Sequence, residues 1–268
     1  MKTVLTTLSF GENYTRDYTL RMIEDVLNMS PIDFYITTDC RHIIEDKYGN
    51  NNRIHITDLK RDEVQIRVPI GENKGSSDFN FNMRYLSLVP VMDLEDTMVI
   101  FTDCDNSFDW WDEELIQTYM SKINKEGYDF FAPRNDFKWK QFLSNYNNQN
   151  NREDGIFWHK IFNYDLNTNP RPEWAEAPLP AEYLLVFINT DGKLRKFVDQ
   201  WKWFHDYLCN REFSYGTWAE GFEIGVSSLV AGFKPFDISW HHQIWGKVFT
   251  ANGYKTGPRG GIAHPTER

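Results

Sequence analysis

The chain has 268 residues, with 29 lysines and arginines against 39 aspartates and glutamates, and a formal net charge of −10. That length can build a large core without disulfides, and three scattered cysteines without CxxC spacing argue against a structural zinc knuckle and suit a reducing compartment. The acidic balance opposes binding to a nucleic-acid backbone, except at a small basic island in the last residues.

In chain order, KTVLTTLSF (2–10) reads as a buried first strand closed by Gly11. TRDYTLRMIEDVLNM (15–29) places Leu20, Ile23 and Leu27 at helical spacing, with a stop at Pro31. DFYITTD (33–39) is a second strand ending in Asp39, and RIHIT (53–57) and VQIRVPI (64–70) are short strand candidates. GENKGSSD (71–78) is a polar loop, and FNFNMRYLSLVPVM (79–92) is a helix candidate. TMVIFTD (97–103) is the most apolar strand; the helix EELIQTYMSKINKEG (113–127) and the strand YDFFAP (128–133) follow. The stretch from 135 to 180 is rich in Asn, Trp and Pro, and a loop that long inside a domain is usually functional or disordered. Order returns with the strand EYLLVFIN (182–189), the helix GKLRKFVDQWKWFHDYL (192–208) and a helix opening near WAEGFEIGVSSLVAGF (218–233). The end, NGYKTGPRGGIAHPTER (252–268), is glycine-rich and reads as mobile. No run reaches the roughly 18 apolar residues of a membrane span. The opening MKTVLTTLSFGENY lacks a signal peptide's features, so a cytoplasmic location is expected.

Strands alternating with helices predict a single α/β domain with a mostly parallel central sheet flanked by helices. In such sheets ligands lie at the carboxyl ends of the strands. Ser9, Asp39 and Asp103 all stand at such ends and are expected to line one crevice. The apolar run before Asp103 ends in Asp103-Cys104-Asp105. Two carboxylates at i and i+2 share a side while the chain is extended. Such a pair suits a hard divalent cation, Mg²⁺ or Mn²⁺, with coordination positions left for substrate phosphates. Adjacent Trp110 and Trp111 split between faces, so at least one packs and the other can stack on a ligand ring. Glu220 and Glu223 lie three apart, on one helix face.

TLSFGENYTRDY, YITTD, and FNFNMRYLSL leading into VIFTDCD together resemble the GT-A-fold, DxD-containing glycosyltransferases, which use a nucleotide-sugar donor. The resemblance implies a Rossmann-like domain whose donor half spans 1–134 and acceptor half 135–251, with 252–268 closing over the donor. It implies Asp105 as main metal ligand, Asp103 on the ribose or a metal-bound water, and a histidine as a further ligand, His264 before the competing His241 and His242. Donor contacts are implied for Thr7, Ser9, Tyr14, Asp39, Arg84, Lys255 and Arg259. Acceptor contacts are expected from Trp110, Trp218 and His242, and an inverting transfer needs a base, Glu220 before Glu223. The implied reaction moves a sugar from a nucleotide donor, UDP first, to a hydroxyl acceptor. Richness in Asn, Asp, Tyr and Phe also resembles tailed-phage proteins, so the acceptor is either a glycan or a hydroxymethylated DNA base. Two other readings stay open: nucleotidyl transfer to a sugar phosphate, and a non-catalytic nucleotide-sugar or glycan-binding module. The single glycine of TLSFGENYTR counts against nucleotidyl transfer, which favours a Gly-rich basic loop there.

Overall fold

The computed structural model describes residues 1–60, 81–106, 111–133, 135, 138, 174, 176–209, 219–238, 255–256 and 262–263. β1 (Lys2–Ser9) is buried from Thr3 onward. A continuous helical rod follows: α1 (Glu12–Tyr14), a π-helical turn (Thr15–Thr19) and α2 (Leu20–Met29). α2 buries Met22, Ile23 and Val26 and ends where Ser30 turns extended ahead of Pro31. β2 (Asp33–Thr38), α3 (Arg41–Tyr48) and β3 (Ile54–Asp58) come next. The expected helix over 79–92 is instead a set of short pieces, with 3₁₀ turns at Phe81–Arg84 and Val89–Val91 around α4 (Tyr85–Leu88). Pro90, which lacks an N–H, falls in the second 3₁₀ turn. β4 (Thr97–Thr102), α5 (Glu113–Lys125) and β5 (Phe130–Ala132) match the sequence reading, and α5 is capped by Asp112, whose side chain accepts from the Leu115 N–H at 2.9 Å. β6 (Leu184–Asn189), α6 (Lys193–Cys209), α7 (Ala219–Ala231) and β7 (Pro235–Asp237) complete the sheet and its cover. In the tail, β8 (Lys255–Thr256) pairs antiparallel with β9 (Ile262–Ala263). The strand candidate at 64–70 and the loop at 71–78 lie outside the described residues.

The seven strands run in the order β3-β2-β1-β4-β6-β5-β7. β1 is parallel to β2 and β4, β2 to β3, and β5 to β7. β6 runs against both neighbours, β4 and β5. The α/β architecture with a mostly parallel sheet is therefore as expected, with β6 as the reversed strand.

Alternation along the central strands divides the core between the two faces. Leu5, Met98, Ile100, Val186 and Ile188 join Ile23, Val26, Ile116 and Met120 on one side. Val4, Val99, Phe101, Leu185 and Phe187 join Leu88, Phe197, Trp201 and Ile224 on the other. Both faces are covered, which is why these strands read as continuous apolar runs.

α7 lies against the chain that leads into β6. A Cβ at Gly225 would stand 1.9 Å from the Pro178 carbonyl oxygen, and one at Gly221 would meet Leu179 at 3.0 Å and Glu182 at 3.2 Å. The glycines of AEGFEIG thus allow close approach of a helix to the backbone beside the end of β4.

Candidate functional site

β1 and β4 are parallel neighbours. The next strands lie on opposite sides of this pair, β2 beyond β1 and β6 beyond β4. The strand order therefore reverses between them, and the crevice outside their carboxyl ends is where an open α/β sheet binds ligands. Gly11 to Tyr14 leave β1 there, Asp39 leaves β2, and Asp103 to Asp105 leave β4.

The two aspartates reach the crevice by a turn. The Asn106 N–H donates to the Asp103 carbonyl at 3.1 Å, so the chain has left extended geometry by Cys104 and the i, i+2 strand argument does not apply. The turn is pinned on both sides. Asp103 N–H donates to the Tyr183 carbonyl at 3.3 Å, and Asn106 Nδ2 donates to Thr102 Oγ1 at 2.6 Å. Cys104 points inward beside the Thr19 and Ser9 hydroxyls, and burial pushes its thiol well above the usual range. The side chain of Asp103 keeps 15% of its surface, while Asp105 as a residue keeps 1%.

Arg84 grips Asp103 in a bidentate pair, Nε to Oδ1 at 3.0 Å and Nη2 to Oδ2 at 3.3 Å. That fork fixes the plane of the carboxylate. Arg84 Nη1 also approaches Glu182 Oε2 at 3.7 Å. The arginine is placed by α4, which β1 and β2 hold from below: Thr6 donates to the Ser87 carbonyl at 2.5 Å and Thr37 to that of Leu86 at 3.3 Å. Glu182 escaped the sequence reading. Its signal was an acid directly before an apolar strand, which becomes a neighbour of Asp103 because β6 runs opposite to β4, with Leu184 beside Thr102.

After β1, the side chains divide. Thr7 and Ser9 are fully buried. Thr7 donates to the Thr102 carbonyl at 2.7 Å, and Ser9 Oγ lies 2.9 Å from Thr15 Oγ1 and 2.7 Å from Thr19 Oγ1. Their hydroxyls thus tie β1 to β4 and to the helical rod. Asp39 accepts from the Gly11 N–H at 2.8 Å, and so joins the end of β2 to the loop after β1. Gly11 has φ +88°, a conformation that favours glycine. Burial, with Cys104 and Asp105 nearby, raises the pKa of the Tyr14 phenol far above the usual value.

Of the acids expected to face the acceptor, Glu223 is fully buried and accepts from Trp201 Nε1 of α6 at 2.9 Å. That makes it an acid that holds α6 and α7 together. Glu220 lies in the first turn of α7, its side chain outside the described part. Of the tryptophan pair, Trp111 is the packing member, buried with its Nε1 donating to Glu113 Oε2 at 3.0 Å. Trp110, Trp218, His242, Arg259 and His264 lie outside the described residues, as does the side chain of Lys255. The crevice therefore brings together Tyr14, Asp39, Arg84, Asp103, Asp105 and the unforeseen Glu182.

Asp103 and Asp105 offer hard oxygen donors, the chemistry that Mg²⁺ and Mn²⁺ prefer. Among the described residues no group of three or more His, Cys, Asp or Glu is arranged to hold a metal ion. The pair thus fits a metal that completes its shell elsewhere, as Mg²⁺ does with waters and substrate phosphates. Also among the described residues, no helix is long and apolar enough to cross a membrane.

No family model and no curated protein matches the chain. Among solved structures it is similar to an active-site mutant of LgtC, with 11% identity over 84% of this chain and 69% of that one and a TM-score of 0.45. It is similar to mouse xyloside xylosyltransferase 1 in its apo form, with 8% identity over 91% of each chain and a TM-score of 0.46. A third is the mannosyltransferase PcManGT from Pyrobaculum calidifontis in complex with GDP-Man and Mn²⁺, with 7% identity over 88% of this chain and 53% of that one and a TM-score of 0.40. Function at such identity has to be argued from the side chains of the site.

Proposed function

We propose that the chain is a metal-dependent glycosyltransferase that moves a sugar from a nucleotide donor, UDP first, to a hydroxyl acceptor. The observation that carries this reading is the turn after β4. Two carboxylates one residue apart stand at the carboxyl end of a central strand, where the strand order reverses, with an arginine fork on the first of them. In this reading Asp105 is the main metal ligand, and Asp103, its plane set by Arg84, faces the ribose or a metal-bound water. Mn²⁺ or Mg²⁺, when bound, supplies Lewis-acid stabilisation of the charge on the departing nucleotide. Asp39 holds the Gly11 loop against which the base lies, and Tyr14 stands near Asp105.

Glu220, at the start of α7, takes the acceptor proton in an inverting transfer, and Gly221 and Gly225 let its helix approach the crevice. Trp110, Trp218 and His242 belong to the acceptor side. Lys255, Arg259 and His264 are assigned to a tail segment that closes over the donor, the lysine and arginine on the diphosphate and the histidine on the metal. The acceptor is a glycan or a hydroxymethylated DNA base.

The test is mass spectrometry of reactions that offer several UDP-sugars, with Mn²⁺, to glycans and to DNA containing hydroxymethylcytosine. A mass gain of one sugar on either acceptor, lost with EDTA, is the expected result. Donor binding without turnover on any acceptor would make the chain a binding module instead. Consumption of a sugar phosphate and a nucleoside triphosphate would make it a nucleotidyltransferase.

A further inference from the structure

Glu182 stands where three pieces of the crevice meet. The chain on each side of it is fastened. The Ala181 N–H donates to the Pro133 carbonyl at 2.8 Å, and the Tyr183 carbonyl accepts from the Asp103 N–H at 3.3 Å and from Asn106 Nδ2 at 3.4 Å. Its two carboxylate oxygens face different neighbours. Oε2 lies 3.7 Å from Arg84 Nη1, while Arg84 turns Nε and Nη2 to Asp103. Oε1 lies against the first turn of α7, 3.2 Å from where a Cβ at Gly221 would stand. The Glu182 side chain keeps 26% of its surface against 15% for Arg84 and for Asp103, so it is the most open of the three.

We infer that Glu182 and Arg84 bind a second hydroxyl of the acceptor, beside the one that attacks, and that the acceptor is therefore a glycan. The inference rests on the glycosyl-transfer reading above. An N–H···O hydrogen bond spans roughly 2.7–3.2 Å. At 3.7 Å the two groups form an ion pair without that direct bond. One oxygen atom at about 2.8 Å from each, an ordinary hydrogen-bond length, bridges such a gap. The bridging group has to accept from Arg84 and donate to Glu182, because a guanidinium only donates and an ionised carboxylate only accepts. A hydroxyl does both. A phosphate of the donor cannot, since it carries no proton to give. Glu182 also touches Gly221, the residue after Glu220, so the bridged hydroxyl lies next to the proposed base. The attacking hydroxyl gives its single proton to that base, so the hydroxyl on Glu182 is a different one. Sugars carry neighbouring hydroxyls. A hydroxymethylated base has only the one that attacks.

The test is transfer kinetics of the full chain with Mn²⁺ and the UDP-sugar it consumes, on glycans and on DNA containing hydroxymethylcytosine. The parent should modify a glycan. Glu182→Ala should raise KM for that glycan by about 10- to 100-fold, the effect of losing a hydrogen bond to a charged group. Glu182→Gln, which keeps an oxygen that accepts, should fall between the two. Calorimetry should find binding of the UDP-sugar with Mn²⁺ as tight in both variants as in the parent, and thermal unfolding checks that each is folded. A glycan KM that stays at the parent's value in folded Glu182→Ala or Glu182→Gln overturns the role. So does weaker binding of the UDP-sugar with UDP binding intact, which would give the hydroxyl to the donor. A parent that modifies only the DNA also overturns it and leaves the glycosyltransferase reading standing. A parent that moves sugar to neither acceptor removes that reading, and this inference with it.

Discussion

Asp105 and Glu223 are both carboxylates with almost no exposed surface, 1% and 0%. Asp105 sits in a turn past the end of β4, its carbonyl accepting from Arg21 Nη2 of the rod that follows β1 at 3.4 Å. Glu223 sits within α7, held by the indole of Trp201 from α6. The first lies where the strand order reverses and two loops diverge. The second lies in a helix–helix interface, packed with Phe222 and Ile224, themselves buried. Equal burial therefore carries different meanings: in the proposed reading the buried acid at the switch point is placed for a ligand, while the one in mid-helix serves packing.

Substitutions can break this contrast. Asp105→Asn, which keeps the shape and removes the charge, should abolish Mn²⁺-dependent binding of a nucleoside diphosphate in calorimetry and leave the circular dichroism spectrum unchanged. Glu220→Gln should leave donor affinity alone and lower the turnover rate by roughly 10²- to 10⁴-fold, the span of general-base loss, in single-turnover assays. An unaffected rate would instead favour a retaining transfer. Gly225→Ala should act through folding, because its Cβ would collide with the Pro178 carbonyl. A loss of about 1–3 kcal/mol is expected from denaturant unfolding. Glu223→Gln, which still offers an oxygen to Trp201, should have the smallest effect, about 1 kcal/mol or less, with the rate per folded molecule unchanged. A large loss of rate in Glu223→Gln at full stability would reverse the roles assigned to the two acids of α7.

Much of the fold was legible because its central strands are buried on both faces, so 2–9, 97–102 and 184–189 stood out as apolar runs. α3 and β7 were missed: α3 is a short, largely polar helix, and β7 is three half-buried residues starting at a proline. The reversal of β6 is set by pairing, which no local pattern records. At the site, the Asp103–Asp105 pair was visible as acids at the end of an apolar run. The fates of Thr7 and Ser9 were hidden, because a hydroxyl at a strand end serves a ligand or the fold depending on partners such as Thr102, Thr15 and Thr19. The link from Asp103 through Arg84 to Glu182 joins residues up to nearly one hundred positions apart and needed the sheet to assemble it.

The central claim is that a nucleoside diphosphate and its metal bind outside the ends of β1 and β4. Hydrogen exchange with and without UDP and Mn²⁺ tests it most directly, read at 10–15, 39–41 and 103–106 and compared with the α6–α7 pair. The account predicts slower exchange in those three segments only when both ligands are present, and little change in the middle of α6 and α7. Saturating UDP and Mn²⁺ that leave all three segments unprotected, or that protect the helix pair in their place, would contradict it.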